Sequence, residues 1–121
     1  LDNRFWFTSY HLWYSNVLQV RAMKNYIDDL NKAFESRIRL GIMSILMVND
    51  SVDFNTFKEL LNITDGNLAS HAAALEKLEF ILIRKQFVGK KPNTTYAITK
   101  KGRKAFGEHL DGLEKLLKKR E

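Results

Sequence analysis

The sequence contains no cysteine. That excludes a disulfide framework, cysteine-based zinc sites and thiol chemistry, and it fits a reducing cytoplasm. No run of about 18 apolar residues occurs, so no membrane-spanning helix is expected. Neither a Gly-x-Ser-x-Gly nucleophile elbow nor a Gly-x-Gly-x-x-Gly phosphate loop is present. His11, His71 and His109 fall in three different predicted elements, so no nucleophile, base and orienting group converge. The acids and histidine of Glu108–Asp111 fan around a helix instead of gathering on one side. No catalytic, cofactor-binding or metal-binding residue is therefore assigned, and an enzyme is not expected.

Acidic residues are missing too, but from one stretch only. The chain of 121 residues carries a net charge of +6, and residues 1–29 hold three basic and three acidic groups. Between Phe80 and Lys104 there are eight basic residues and no acid: Arg84, Lys85, Lys90, Lys91, Lys100, Lys101, Arg103 and Lys104. A one-sign cluster inside a folded chain attracts polyanions. The plainer alternative is a solvated face that aids solubility.

What is present is one domain's worth of chain, 45% apolar, enough for a modest core. Helical periodicity covers residues 5–27. Trp6, Tyr10, Trp13, Val17 and Val20 recur at steps of four and three, and Ile27 continues the line. Phe7, Tyr14 and Leu18 widen it. A helix this apolar packs on the rest of the chain or on a second subunit; a membrane-surface helix would need a more basic polar face than Arg4 and Arg21 provide. The chain opens on Leu1, and Met23 begins "MKNYIDDLNKAF", which reads as an alternative natural start with residues 1–22 as an extension.

A second helix is predicted from Asp29 to Val48, with Leu30, Phe34, Ile38, Ile42, Ile45 and Leu46 inward and Gly41 and Ser44 allowing a close neighbour. A third, capped by Asp53 or Asn55, runs to Leu61 and buries Phe54, Phe57 and Leu61. After a turn at 62–64, Thr64 or Asp65 caps a fourth helix to Glu79, burying Leu68, Ala72, Leu75 and Leu78. Alternation then replaces helical periodicity. "FILIRKQFV" and "TTYAIT" flank "GKKPN", the pattern of a β-hairpin. A last helix, from Lys100 to Lys119, is expected to bury Phe106, Leu110, Leu113 and Leu117 in a heptad-like seam. The fold class is mainly α with a small β-hairpin (α+β). Residues 1–28 read as an aromatic helix for dimerisation or core packing, and 29–121 as the main domain.

Two short helices joined by a tight turn, followed by a basic hairpin, make a winged helix-turn-helix with extra N-terminal and C-terminal helices. In that arrangement helix 65–79 would enter a major groove with its N-terminal residues against base edges. Asn67, Ser70, His71 and Ala74 are expected on one face, opposite Leu68, Ala72 and Leu75. Asn67 suits adenine, Ser70 several bases, His71 guanine or phosphate, and the Ala74 methyl a thymine methyl. The wing, residues 82–99, offers Lys90 and Lys91 at its tip and Arg84 and Lys85 on its first strand to the backbone or the minor groove. Cations are unfavourable at a helix N-terminus, so Lys100, Lys101, Arg103 and Lys104 suggest an external anion. The competing view of helix 65–79 is an ordinary cap with a solvated face.

"FKELLNITDGNLASHAAALEKLEFI" and "KQFVGKKPNTTYAITKKGRKAF" resemble the winged-helix transcriptional regulators related to the MarR and ArsR groups. The resemblance covers roughly residues 32–119. It implies a dimeric DNA-binding repressor or activator, with Asp65, Asn67, Ser70 and His71 on the recognition helix and Lys90, Lys91 and Thr94 in the wing. Lys77, Ala74, Arg84 and Lys85 complete the expected DNA-binding set. The implied partners are double-stranded DNA, a second copy joined through the N-terminal and C-terminal helices, and a small-molecule effector, for which aromatic residues 5–14 are the candidate pocket. The sequence departs from the family where Ala72 replaces Leu, Ala73 and Ala74 stand for frequent lysines, and Leu78–Glu79–Phe80 lacks the usual glycine. The rival class is a winged helix that binds a protein and never touches DNA; it has no need of an acid-free run of eight cations.

Overall fold

The computed structural model describes residues 3–118, with side chains from Leu12 onward. The elements run α1 (Asn3–Asp28), a 3-10 turn (Lys32–Phe34), α2 (Arg37–Met47), β1 (Val52–Asp53), α3 (Phe54–Leu61), α4 (Asp65–Lys77), β2 (Ile81–Val88), β3 (Lys91–Ile98) and α5 (Lys100–Leu117). The wing hairpin is therefore part of a three-stranded antiparallel sheet of order β1-β3-β2. The two-residue strand β1, absent from the sequence expectation, pairs Val52 with Tyr96 and Asp53 with Thr95. It is too short to show alternation. Residues 31–107 form one compact unit, and the residues through Leu30 together with those from Glu108 onward form another.

In the unit 31–107 the helix boundaries follow local chemistry. The predicted second helix is divided, because Asn31 and Ser36 both adopt extended backbone and each caps a separate piece. The Asn31 side chain accepts from the Ala33 amide at 2.9 Å, and the Ser36 hydroxyl accepts from the Arg39 amide at 3.4 Å. Asp53 caps α3 by accepting from the Thr56 amide at 2.8 Å, and Thr64 caps α4 through the Asn67 amide at 3.2 Å. Gly41 permits the close neighbour expected of it: a Cβ there would lie 2.7 Å from Cδ2 of Leu61. Between α3 and α4, Asn62 takes the left-handed conformation at φ 51°, which asparagine tolerates better than most residues.

The end of α4 is a Schellman turn. The Phe80 amide donates to the Leu75 carbonyl at 3.0 Å and the Glu79 amide to the Glu76 carbonyl at 2.8 Å. The left-handed position is Glu79, φ 64°, a conformation that glycine adopts at less cost. This reversal corrects one expectation: Leu78 is exposed, and Phe80 is the residue turned into the core. The core comprises Phe34, Ile42, Met43, Leu46, Phe57, Leu68, Ala72, Leu75, Phe80, Ile81, Tyr96 and Phe106 among others. The Phe34 ring meets Phe106 edge-on at 5.1 Å and Phe80 at 5.5 Å, while Phe57 meets Tyr96 at 5.4 Å.

In the other unit the expected seam of α5 is displaced. Leu110 is exposed and Leu117 is 88% exposed; His109 and Gly112 are the buried positions. Gly112 explains the shift, because an added Cβ would come within 3.0 Å of Leu30 Cδ2 and 3.6 Å of the Tyr26 carbonyl. The end of α1 thus packs on a notch in α5 and not on the leucine ridge. Leu12, Leu18, Val20 and Ile27 of α1 are exposed. The side chains of Trp6, Phe7 and Tyr10, and with them most of the expected effector pocket at residues 5–14, lie outside the described residues. None of the described helices is long and apolar enough to cross a membrane.

Candidate nucleic-acid interface

At about 100° per residue, the buried stripe of α4 is Leu68, Ala72 and Leu75. The positions most directly opposite are Gly66, Ser70, Ala73 and Lys77, all exposed. Asn67, also exposed, stands on one flank with His71 and Ala74, which are half-buried. The outward face is therefore rotated from the expected Asn67–Ser70–His71–Ala74 set: Ser70 and Asn67 belong to it, and Ala73 and Gly66 join it.

His71 is held from within the protein. Arg39 Nε of α2 donates to its Nδ1 at 3.1 Å, which requires an imidazole unprotonated at that nitrogen. Burial first, and then the Arg39 charge, hold its pKa below the ordinary 6.5. Asp65 opens α4, where a carboxylate suits the positive end of the helix dipole, and it pairs with Lys58 of α3.

The hairpin divides its cations between two faces. Ile81 and Ile83 turn toward the core, so alternation places Lys85 and Phe87 on that same face and Arg84 on the opposite one. Lys85 pairs across the ladder with Thr94. Those two, with Ile83 and Tyr96, form one wall of a groove of about 690 Å³ whose other wall is Ala69, Ala72, Ala73 and Glu76 of α4, closed by Phe54. Arg84 instead borders a smaller hollow with Asp50, Leu82 and Thr95. The expected DNA-binding set is thus brought together only in part: Lys85 and Thr94 adjoin α4, Lys90 and Lys91 stand at the wing tip, and Arg84 faces away.

The tip is a two-residue turn at Gly89 and Lys90, with Val88 paired to Lys91. Gly89 has φ 66° and Lys90 does not share a positive φ, the signature of a II′ turn whose first central residue is glycine. Among the described residues Lys85, Lys90 and Lys91 make no ion pair. The cations at the start of α5 differ. Lys101 pairs with Glu79 at 3.3 Å, and Arg103 Nη1 donates to the Met47 carbonyl at 3.2 Å, closing the end of α2. Their presence at that N-terminus is thus explained internally, which leaves Lys100 and Lys104 exposed.

Sequence reasoning missed Ala69 and Glu76 of the groove and the Arg39–His71 bond. Ala69 and Ala73, four apart, are a readable small-residue pair on one helix side; nothing local marks Arg39 as a partner of His71. No group of three or more His, Asp or Glu residues able to hold a metal occurs among the described residues.

The winged helix DNA-binding domain model matches residues 38–117. An uncharacterized protein of Methanocaldococcus jannaschii is 38% identical over 79 residues, 65% of this chain and 86% of that one. A transcriptional regulator homologue from Pyrococcus horikoshii superposes with a TM-score of 0.69 at 26% identity, over 78% of this chain and 91% of its own. The structure of MarR superposes with a TM-score of 0.62 at 13% identity, over 88% of this chain and 77% of its own, a likeness of fold.

Proposed function

The chain belongs to the winged helix DNA-binding domain family, and from that premise we propose that it is a sequence-specific transcriptional regulator acting in the cytoplasm. Membership in this family, with the likeness to a transcriptional regulator homologue, supports a regulator and points away from an enzyme. In the proposed complex α4 lies in a major groove, about 12 Å wide, with Gly66, Asn67, Ser70, Ala73 and Ala74 toward the base edges. Short side chains let the helix backbone approach the groove floor. Asn67 has the donor and acceptor needed for adenine, and Ser70 can pair with several bases. Lys77 and His71 reach the flanking phosphates.

The observation that carries this reading is the groove between α4 and the wing. There Lys85 and Thr94 stand across from Ala69, Ala73 and Glu76, so a sugar-phosphate strand entering beside the first turns of α4 meets a cation and a hydroxyl on one side and alanine methyls on the other. Lys90 and Lys91 extend the positive wall to the tip. Glu76 is the one acid in this lining, and it lies beyond the first turns of α4 that read bases.

We read the regulator as a homodimer joined through α1 and α5. One helix in one groove rarely provides sufficient affinity, and two-fold symmetry sets two recognition helices about 34 Å apart. Leu12, Leu18, Val20 and Leu117 leave apolar surface on the two terminal helices that a second copy would cover.

The test is fluorescence anisotropy of the whole chain on labelled random duplex, titrated from low to physiological salt. Binding that weakens steeply and linearly in log–log form supports the reading. Absence of binding at low salt sinks it and favours the protein-binding class.

A further inference from the structure

We propose that Phe87 is an apolar wedge that enters the minor groove of DNA next to the site held by α4. The inference rests on the DNA-binding reading above and adds a partner contact for a residue that reading leaves unused.

Phe87 is 74% exposed at the far end of β2, and its ladder partner Pro92 is exposed as well. A bare phenyl ring in a rigid hairpin is an unsatisfied apolar surface, and two facts identify what covers it. The first is charge. The ring is flanked by Lys85, Lys90 and Lys91, none in an ion pair among the described residues, within a stretch that has no acid from Phe80 to Lys104. The surface that suits it carries negative charge on either side of an apolar recess. A DNA minor groove has that form, with phosphate walls about 6 Å apart and sugar and base edges between them.

The second fact is direction. Phe87 shares its sheet face with Ile83 and Lys85, and Lys85 stands on the groove that α4 borders. Two residues further along a strand is roughly 7 Å. A duplex seated on α4 and passing Lys85 therefore meets Phe87 next, on the adjoining groove. Val88, by contrast, turns to the opposite face. Apolar side chains inserted at such places partly unstack a base step, most easily at flexible pyrimidine–purine steps.

The test uses the full chain and a short alternating A·T duplex carrying 2-aminopurine, whose emission rises when it unstacks. Wild-type protein is expected to brighten the duplex. Phe87→Ala should bind about tenfold more weakly, the scale of one aromatic contact with bases. Its salt slope should be unchanged, because no phosphate contact is lost, and it should not brighten the probe. Phe87→Lys should steepen the slope and still fail to brighten it. Thermal melts of both variants should match wild type, since the side chain is outside the core. Brightening retained in either variant overturns the wedge, as does a shallower slope for Phe87→Ala. If wild type binds no DNA at low salt, the DNA-binding reading itself fails. If it binds but does not brighten the probe, only the wedge fails.

Discussion

Two glycines of α5 should respond in opposite directions to the same added methyl group. At Gly102 an ideal Cβ would lie 2.0 Å from the carbonyl oxygen of Phe80, 2.8 Å from its carbon and 2.9 Å from its Cα. All three are backbone atoms, and Phe80 is tied down on several sides. Its amide donates to Leu75 and its carbonyl accepts from the Thr99 amide, both at 3.0 Å. The Thr99 hydroxyl approaches the same oxygen at 3.1 Å and the Glu79 carbonyl at 2.7 Å, while accepting from the Gly102 amide at 2.9 Å. Ordinary contact begins near 3.4 Å, so Gly102→Ala must push the start of α5 off the α4–β2 junction. Overpacking costs about 1–3 kcal/mol, and the hydrogen bonds to Phe80 contribute about 1 kcal/mol each. Alanine's better helix propensity returns about 1 kcal/mol. The expected net loss is about 2–4 kcal/mol. Gly107 lies in the same helix with nothing within 4 Å of an added Cβ, so Gly107→Ala should stabilise by up to about 1 kcal/mol. Urea unfolding followed by circular dichroism measures both. A Gly102→Ala protein as stable as wild type would refute the reasoning, since propensity would then have decided the outcome and the short approach would carry no weight.

Glu79→Gly should raise stability by about 1 kcal/mol by removing left-handed strain, because the exposed pair with Lys101 that it forfeits is worth little; a lower unfolding midpoint would contradict this. Replacing Lys90 and Lys91 together by alanine should weaken binding to all DNA sequences and lower the salt slope by roughly two per subunit; an unchanged slope removes the tip from the contact. Asn67→Ala should lose discrimination at one base position, about 1–3 kcal/mol, and equal losses on cognate and random duplex would argue against base contact. The depressed pKa of His71 means that the unfolded chain takes up a proton first as pH falls below about 6.5. Its contribution to stability is therefore complete above that value and declines below it until the folded imidazole is protonated too. His71→Gln should show a smaller fall in melting temperature than wild type between neutral and mildly acidic buffer; an identical fall would exclude protonation of His71 as its source.

The order of helices, the hairpin and the basic wing were legible because each depends on neighbours within a few residues. Thr64 and Asp53 cap the helices that follow them, Asn62 and Gly89 supply positive φ where the chain turns, and alternation in "FILIRKQFV" separates inward Ile81 and Ile83 from outward Leu82 and Arg84. Asn31 and Ser36 could have disclosed the division of the second helix, had their capping chemistry been weighed against the apolar spacing that runs through it. Charge was equally plain, since an acid-free interval is a property of the string.

What the tertiary structure alone decided are relations between residues far apart in the chain. Strand β1 exists because Val52 and Asp53 find Tyr96 and Thr95, and two residues carry no periodicity of their own. Phe80 displaces Leu78 from the core because the turn at Glu79 leads the chain into β2. Arg103 and Lys101 spend their charge within the protein on Met47 and Glu79, whereas the wing lysines do not. Arg39 restrains His71, and Lys85 and Thr94 meet the alanines of α4 across one groove. Local propensity is set by steric and hydrogen-bonding choices within a turn or two, which a sequence displays directly; the geometry of the interface arises from long-range packing, which it does not.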